Sequence, residues 1–416
     1  MNAAQYIAAA VAVLSTVACG SSGDASSSRR GTEGAAKHPA DATISGDDGA
    51  ILQVGDGAPG EPSDAGSSVD DAQGSPMGED ADGDADGDAA PPLSDAATPP
   101  CAGPSLAAGD HSQTLTIDGG VRTFAVHVPA GLPPTAAAPL VFAFHGGGQN
   151  AVEFDGFTHL RAKSDASGFV LVEADGTPAF GTPPNPAPPA DSGLVLDVWN
   201  AGNCCEYAAQ YNGNVDDVGF VGAMLDSIEA QTCVDRKRVF ATGFSNGGML
   251  SHRLACQMSD RIAAIVAVSG GSGQTDYDKT PTETLFPCNP GRPVPVLHIH
   301  GTQDACYPFD GGYGPLSLVT FEPVRVTIQS WVARNGCSDG GPTTVLTQGA
   351  ATCELYPCPQ AGQVELCTVD GGGHYWPGGD DWLGSTVVCG SNQGARSADI
   401  VANDVLWQWF TDHPMP

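Results

Sequence analysis

Basic and aromatic residues are scarce in this chain of 416 residues. It has 16 Lys and Arg against 48 Asp and Glu, a net charge of −32 with neutral histidines, and Phe, Trp and Tyr make up 7% of it. Without a basic patch to neutralise phosphates, neither a nucleic acid nor an anionic membrane surface is expected as a partner.

The first residues are typical of an export signal. An apolar, alanine-rich run ends in small residues at Cys19, and it is too short for a membrane span. The letters TVAC at 16–19 resemble the lipobox of bacterial lipoproteins, so a lipid anchor at Cys19 and a plain secreted product are the two alternatives. We interpret 1–19 as an export signal, and we expect an extracellular or cell-surface protein whose one membrane attachment would be that anchor.

Residues 20–100 are predicted to be a disordered acidic linker rich in Gly, Ala, Ser and Pro. Positions 21–100 hold 17 acidic and 3 basic residues and no Phe, Trp or Tyr, so they cannot bury enough apolar surface to offset chain entropy. The run DADGDADGDA matches the start of a calcium-binding EF-hand loop from Asp82. The twelfth loop position, where a Glu ligand is expected, is Leu93, so the run is interpreted as solvated linker.

The remaining residues, 101–416, are predicted to form one catalytic domain that contains twelve cysteines. An even number in an exported domain suggests up to six disulfides, whose pairing the spacing does not give. Cys353 with Cys358, and Cys204 with Cys205, lack the paired C-x-x-C spacing of a zinc site. No metal and no organic cofactor is predicted.

Strand-length apolar runs alternate with amphipathic helical segments in this domain. The runs PLVFAFHGGG, FVLVEADG, RVFATG and VPVLHIHG are typical of buried parallel strands, and VDDVGFVGAMLDSIEAQTC has the spacing of an amphipathic helix. This alternation predicts an α/β fold, a doubly wound and mostly parallel sheet with helices on both faces.

The pattern Gly-x-Ser-x-Gly, which surrounds the nucleophile of α/β-hydrolases, occurs twice. In that fold the serine occupies a tight turn between a strand and a helix. Ser245 lies between the strand RVFATG and the helix NGGMLSHRLACQ, whereas Ser338 follows a helical segment and precedes a loop. Ser245 is therefore the predicted nucleophile, and Ser338 is a chance match.

A serine nucleophile needs a base, an acid and an oxyanion hole. In chain order the acid and the base follow the serine, which fits Asp304 at the end of the strand PVLHIH and His374 in the glycine loop DGGGHYWPGG. His374 would take the serine proton while Asp304 fixes its tautomer. The backbone N–H of Asn246 and that of Gly147, with Gly148 as the alternative, would hold the oxyanion.

Three further histidines are expected to be structural. His145 precedes the glycine turn HGGGQ and is expected to pack or to form local hydrogen bonds. His298 and His300 alternate with apolar residues along a strand.

A series of motifs in order resembles a known family. They are LVFAFHGGGQN, VWNAGNCC, VDDVGFVGAML, VDRKRVFATGFSNGGMLSHRLAC, HIHGTQD, GGGHYWPGG and ANDVLWQWF. They resemble the esterases grouped with poly(3-hydroxybutyrate) depolymerases and with feruloyl and acetylxylan esterases. The resemblance implies an α/β-hydrolase with Ser245, Asp304 and His374 as its triad. Many members carry Cys where Gly147 stands, so this chain lacks one disulfide or packing contact there.

The resemblance leaves the substrate open. It implies a polymeric, aryl or alkyl ester: feruloyl or acetyl esters of plant polysaccharide, or polyhydroxyalkanoate. Trp199 and Trp376 are expected to contact it, with core packing as the alternative. A dedicated polyhydroxybutyrate depolymerase and a catalytically silent tethered binding module are the alternative functions.

Overall fold

The computed structural model describes residues 106–416 apart from 118, 134–135, 179–196, 203–214, 276–282, 285, 315–318, 383–388 and 391. The predicted export signal with Cys19, the predicted linker and the Cys204–Cys205 pair lie outside the described residues, so the division at 19 and 100 stays a prediction. None of the helices in the described part is both long and apolar enough to cross a membrane.

Ten strands form one sheet in the order β1-β2-β4-β3-β7-β8-β11-β16-β15-β14. The six strands from β4 to β16 run parallel to their neighbours, and two antiparallel strands flank them at each edge. The strands are β1 Gly109–Ile117, β2 Gly120–Val128, β3 Ala138–Phe144, β4 Val170–Ala174, β7 Val234–Phe244, β8 Ala264–Val268, β11 Val296–Gly301, β14 Thr343–Gln348, β15 Ala351–Leu355 and β16 Val364–Val369.

Two smaller sheets lie outside the large one, with four and two strands. Their strands are β5 Thr177–Pro178, β6 Asp197–Val198, β9 Gly273–Thr275, β10 Glu283–Thr284, β12 Gly312–Gly314 and β13 Val319–Phe321.

Helices cover both faces of the large sheet, as the alternation predicts. One buried layer contains apolar residues of α3, α4 and α5, and the other contains those of α1, α2 and α6. The helices are α1 Ala151–Thr158, α2 Leu160–Ser167, α3 Asp217–Glu229, α4 Asn246–Gln257, α5 Val324–Arg334 and α6 Ala402–Asp412.

The predicted doubly wound, mostly parallel α/β fold is confirmed, and local sequence explains its elements. Every residue of β3 and of β11 is buried, as expected for strands covered on both faces. Helix α1 begins after Asn150 and α3 after Asp216, and both side chains accept an N–H from the first helical turn. These elements bring the carboxyl ends of the parallel strands to one edge, where sites form in such sheets.

Four disulfides have both of their cysteines among the described residues of 101–416. The described bridges are Cys256–Cys288, Cys306–Cys389, Cys337–Cys358 and Cys353–Cys367.

Candidate active site

Ser245 occupies the turn between β7 and α4, where the sequence predicted the nucleophile. Its backbone has φ 53° and ψ −119°, a positive-φ conformation that costs free energy in a non-glycine residue and clusters at functional sites. A methyl group on Gly243 would lie 2.4 Å from the carbonyl carbon of Gly247, and one on Gly247 would lie 2.2 Å from the carbonyl oxygen of Phe144. Both glycines are therefore required for the close approach of strand and helix, and Ser245 itself is only half-buried.

Asp304 and His374 meet at the same edge of the sheet. The Nδ1 atom of His374 lies 2.7 Å from Oδ2 of Asp304, and both residues are buried. The other oxygen, Oδ1, accepts the backbone N–H groups of Cys306 at 2.9 Å and Tyr307 at 2.8 Å. Burial raises the pKa of Asp304, but the charge of His374 and hydrogen bonds from His300 and His374 outweigh burial and hold that pKa well below its usual range. Asp304 is thus an ionised carboxylate with a fixed orientation.

The imidazole of His374 lies against the residue that precedes Ser245. Its ring centroid is 4.7 Å from that of Phe244. The three residues Ser245, Asp304 and His374, which are far apart in sequence, therefore gather at the carboxyl ends of β7, β11 and β16. A buried carboxylate paired with Nδ1 directs Nε2 of such an imidazole away from the carboxylate, the arrangement that a general base requires.

The glycine turn after β3 lies beside Ser245. A methyl group on Gly146 would lie 3.4 Å from Cβ of Ser245. The N–H of Gly148 donates to the carbonyl of Asp197 at 2.8 Å, and the N–H of Gln149 donates to Gly146 at 3.2 Å. The N–H of Gly147 has no acceptor among the described residues.

Asn246 contributes both its backbone and its side chain to this region. Its N–H is at the start of α4, where the first N–H groups of a helix lack intrahelical acceptors. Its side chain accepts the N–H of Trp199 at 2.7 Å and donates to the carbonyl of Trp199 at 3.1 Å. The turn after β7 is thereby fixed to the segment that follows β6.

Trp199 and Trp376 are placed differently from the prediction that they contact substrate. Trp199 is 0% exposed, and its Nε1 donates to the carbonyl of His145. Trp376 is 1% exposed, and its Nε1 donates to Oδ1 of Asn403. Both indoles pack in the core because their only polar atom finds an acceptor there, so these positions favour the alternative of core packing.

Ser338 lies in a loop inside the Cys337–Cys358 bridge, as the sequence predicted. Its N–H and its hydroxyl both contact the carbonyl of Pro357, at 3.0 and 3.2 Å. His145 is also structural as predicted. Its Nδ1 donates to the carbonyl of Gly146, and its Nε2 accepts the N–H of Gly176.

Sequence reasoning missed Trp382, which is half-buried beside the predicted base. Its Nε1 donates to the carbonyl of His374 at 3.2 Å, and its ring is 6.3 Å from that imidazole and 6.0 Å from the ring of Phe244. The only sequence signal is its place shortly after the glycine loop that holds His374.

One group of three potential metal ligands occurs in the described part of the chain, made of Cys353, Glu365 and Cys367. The two sulfurs are joined to each other in a disulfide, so they offer no thiolate to a metal ion.

Comparison with known proteins finds similarity to esterases. Residues 218–314, from α3 to β12, match the phospholipase/carboxylesterase family. The chain is 30% identical to feruloyl esterase B of Piromyces equi over 257 residues, 61% of this chain and 42% of that protein. It is 27% identical to feruloyl esterase C of Emericella nidulans over 294 residues, 70% of this chain and 83% of that protein. The chain is thus similar to esterases, and its fold is that of the α/β-hydrolases.

The chain spans less than two thirds of the Piromyces protein. Among solved structures it is similar to an acetyl xylan esterase from Aspergillus awamori, with a TM-score of 0.45 and 14% sequence identity, over 73% of this chain and 99% of that one.

Proposed function

We propose that this protein is an exported serine carboxylic-ester hydrolase that needs no metal or organic cofactor. The observation that carries the proposal is the strained, half-buried Ser245 beside a buried His374–Asp304 pair. A pure binding module has no use for this combination, so it supports catalysis over the silent alternative.

In the proposed reaction Ser245 Oγ attacks the ester carbonyl carbon, and its proton moves to Nε2 of His374. The tetrahedral intermediate then collapses, the alkoxide leaves with that proton, and the acyl group stays bound to Oγ. Water attacks the acyl-enzyme with His374 as base, which releases the acid and restores the serine. Asp304 keeps the proton of His374 on Nδ1 between these steps and stabilises the imidazolium.

The backbone N–H groups of Asn246 and Gly147 are the proposed oxyanion donors. Gly147 is favoured over Gly148 because the Gly148 N–H already donates to Asp197. The Asn246 N–H adds the positive end of the α4 dipole, which favours a developing negative charge.

The proposed substrates are ester bonds on extracellular polymers, feruloyl or acetyl esters of plant polysaccharide among them. Two relatives are feruloyl esterases by name. Residues 101–416 carry 31 acidic and 13 basic residues, and such a surface repels free anionic substrates and favours neutral or polymer-borne esters. The four disulfides support an oxidising, extracellular location.

A pair of serine variants tests the assignment against a panel of methyl ferulate, acetylated xylan and polyhydroxybutyrate. Ser245→Ala is expected to lower kcat by about 10⁴–10⁶-fold on every ester that the wild type cleaves. Ser338→Ala, the matched variant of the second Gly-x-Ser-x-Gly, is expected to keep wild-type turnover. Equal loss in both variants, or loss in neither, would remove Ser245 from the mechanism.

A further inference from the structure

Three buried histidines outside the proposed triad form a continuous chain of hydrogen bonds. Nε2 of His252, on α4, lies 3.3 Å from Nδ1 of His298, on β11, and Nε2 of His298 lies 2.9 Å from Nδ1 of His300. The indole Nε1 of Trp331 donates to His252 Nδ1 at 3.0 Å, and His300 Nε2 contacts the carbonyl of Tyr307 at 2.9 Å. All three rings are at most 1% exposed.

The two ends of this chain fix the proton on every ring. An indole N–H can only donate, so Nδ1 of His252 is unprotonated and its proton is on Nε2. A carbonyl can only accept, so Nε2 of His300 carries the proton and its Nδ1 accepts. His298 must then accept at Nδ1 and donate at Nε2. This is the one arrangement that satisfies every contact, and each ring in it is neutral with the proton on Nε2.

The donating end of the chain faces the carboxylate of the proposed triad. Besides the Tyr307 carbonyl, Nε2 of His300 lies 3.3 Å from Oδ2 of Asp304, the oxygen that pairs with His374. The other oxygen is held by the N–H groups of Cys306 and Tyr307. The protonated Nε2 of a neutral imidazole, which can only donate, therefore faces the oxygen on which the orientation of His374 depends.

We propose that His252, His298 and His300 are positioning residues that hold Asp304 in the orientation His374 needs, an inference that rests on the proposed esterase function. Each ring fixes the tautomer of the next. The indole N–H of Trp331 therefore determines that every ring donates from Nε2, and the last of these N–H groups faces the carboxylate of Asp304. Adding a proton to any ring would place two N–H groups against each other inside the core. The chain therefore stays neutral and keeps its direction.

Burial and nearby positive charge favour the neutral form of His252 and His298. Burial lowers the pKa of His252 to about 3, and the nearby Arg334 acts in the same direction, while a hydrogen bond to the Gly270 carbonyl opposes them. Burial also lowers the pKa of His298 well below its usual range, with His300 and His252 adding to the effect.

Nitrogen NMR of the full chain with ring-15N histidine tests the tautomers without any assay of activity. Protonated Nε2 and unprotonated Nδ1 are expected for all three rings. A proton on Nδ1 of any of them would overturn the inference.

Variants of His300 test the effect on the reaction. His300→Leu removes the donor to Asp304, and we expect kcat to fall by about tenfold to a hundredfold, with KM within about twofold, because misplaced catalytic groups cost this much. The acid limb of the kcat profile should move to higher pH, because a carboxylate that has lost a donor holds the imidazolium of His374 more strongly. His300→Gln keeps an N–H donor towards Asp304 and should restore most of the profile. His298→Leu should lower kcat in the same way.

His413→Leu is the matched control, since His413 is buried but contacts Gln363 and the Trp409 carbonyl at the amino end of the sheet. It is expected to lower Tm without changing kcat or the pH profile. If the wild type hydrolyses esters and His300→Leu hydrolyses them equally well, the positioning role is wrong and the proposed esterase function still stands. If the wild type hydrolyses no ester, the proposed function fails, and the low-field proton between His374 and Asp304 decides the inference. That resonance should shift in His300→Leu or, should that variant not fold, in His298→Leu, and an unchanged resonance would overturn the inference.

Discussion

Replacing Asp304 by Asn exchanges one carboxylate oxygen for an amide nitrogen at nearly constant volume. The structure determines where that nitrogen goes. Oδ1 accepts the N–H groups of Cys306 and Tyr307 at 2.9 and 2.8 Å, so the amide oxygen keeps this place and the NH₂ group takes the place of Oδ2. The NH₂ group then faces Nδ1 of His374, which in the wild type lies 2.7 Å from Oδ2 of Asp304.

An amide N–H pointing at Nδ1 forces the proton of His374 onto Nε2. With its proton there, the imidazole cannot accept the proton of Ser245, and the nucleophile stays a neutral hydroxyl. In a Ser-His-Asp triad the same exchange costs about 10⁴-fold in kcat, which corresponds to about 5 kcal/mol of transition-state free energy. We expect a loss of this size for Asp304→Asn, with a much smaller change in KM.

Steady-state hydrolysis of an ester that the wild type cleaves, followed from pH 5 to pH 9, measures this loss. Asp235→Asn is the matched control. Asp235 likewise accepts a backbone N–H, from Lys237, but at the amino end of β7, and it should keep wild-type kcat. A kcat for Asp304→Asn within tenfold of the wild type would refute the reasoning about the tautomer.

Three further predictions concern stability and substrate contact. Burial, aided by the charge of Asp155 and opposed by Arg161, raises the pKa of Glu173 from 4.5 to about 8, so its contribution to stability is lost as pH rises through this range. Calorimetry should therefore find Glu173→Gln higher in Tm than the wild type at pH 9, by about 2–4 °C for each kcal/mol gained, and equal at pH 4, whereas a deficit at pH 9 would contradict it. Reduction of the disulfides should lower the Tm of the folded part by about 10 °C or more, because each typically contributes about 2–4 kcal/mol, and an unchanged Tm would mean the bridges do not form. Trp382→Ala should raise KM for methyl ferulate severalfold while Trp382→Phe, which keeps an aromatic face, stays near wild type, and equal KM values in all three proteins would exclude substrate contact.

The central sheet could be predicted because buried parallel strands are continuous apolar runs. Each of five strands coincides with such a run, namely β3, β4, β7, β8 and β11. The antiparallel strands at the edges could not be found this way. Strand β14, with the sequence TTVLTQ, is almost wholly exposed, and it pairs with β15 through backbone hydrogen bonds that leave little hydrophobic pattern.

Ser245 and Asp304 could be predicted to lie at one edge because each follows an apolar strand and parallel strands end together. His374 is indicated by chain order and by its glycine loop. The sequence does not predict which aromatic residues in the loops face inward. Trp199 and Trp376 differ from the half-buried Trp382 only in tertiary packing. The role proposed for His298 and His300 also depends on tertiary contacts. In the sequence they are ordinary buried side chains of a strand. The hydrogen-bonded row of histidines is completed only by His252 on α4 and Trp331 on α5.

The central claim is that Ser245 is an activated nucleophile, and covalent labelling tests it most directly. The purified full chain would be treated with a fluorophosphonate, and the adduct would be located by peptide mass spectrometry. The account predicts a single adduct on Ser245, lost in Asp304→Asn and retained in Ser338→Ala. An adduct on Ser338, or none on a sample shown to be folded, would contradict it.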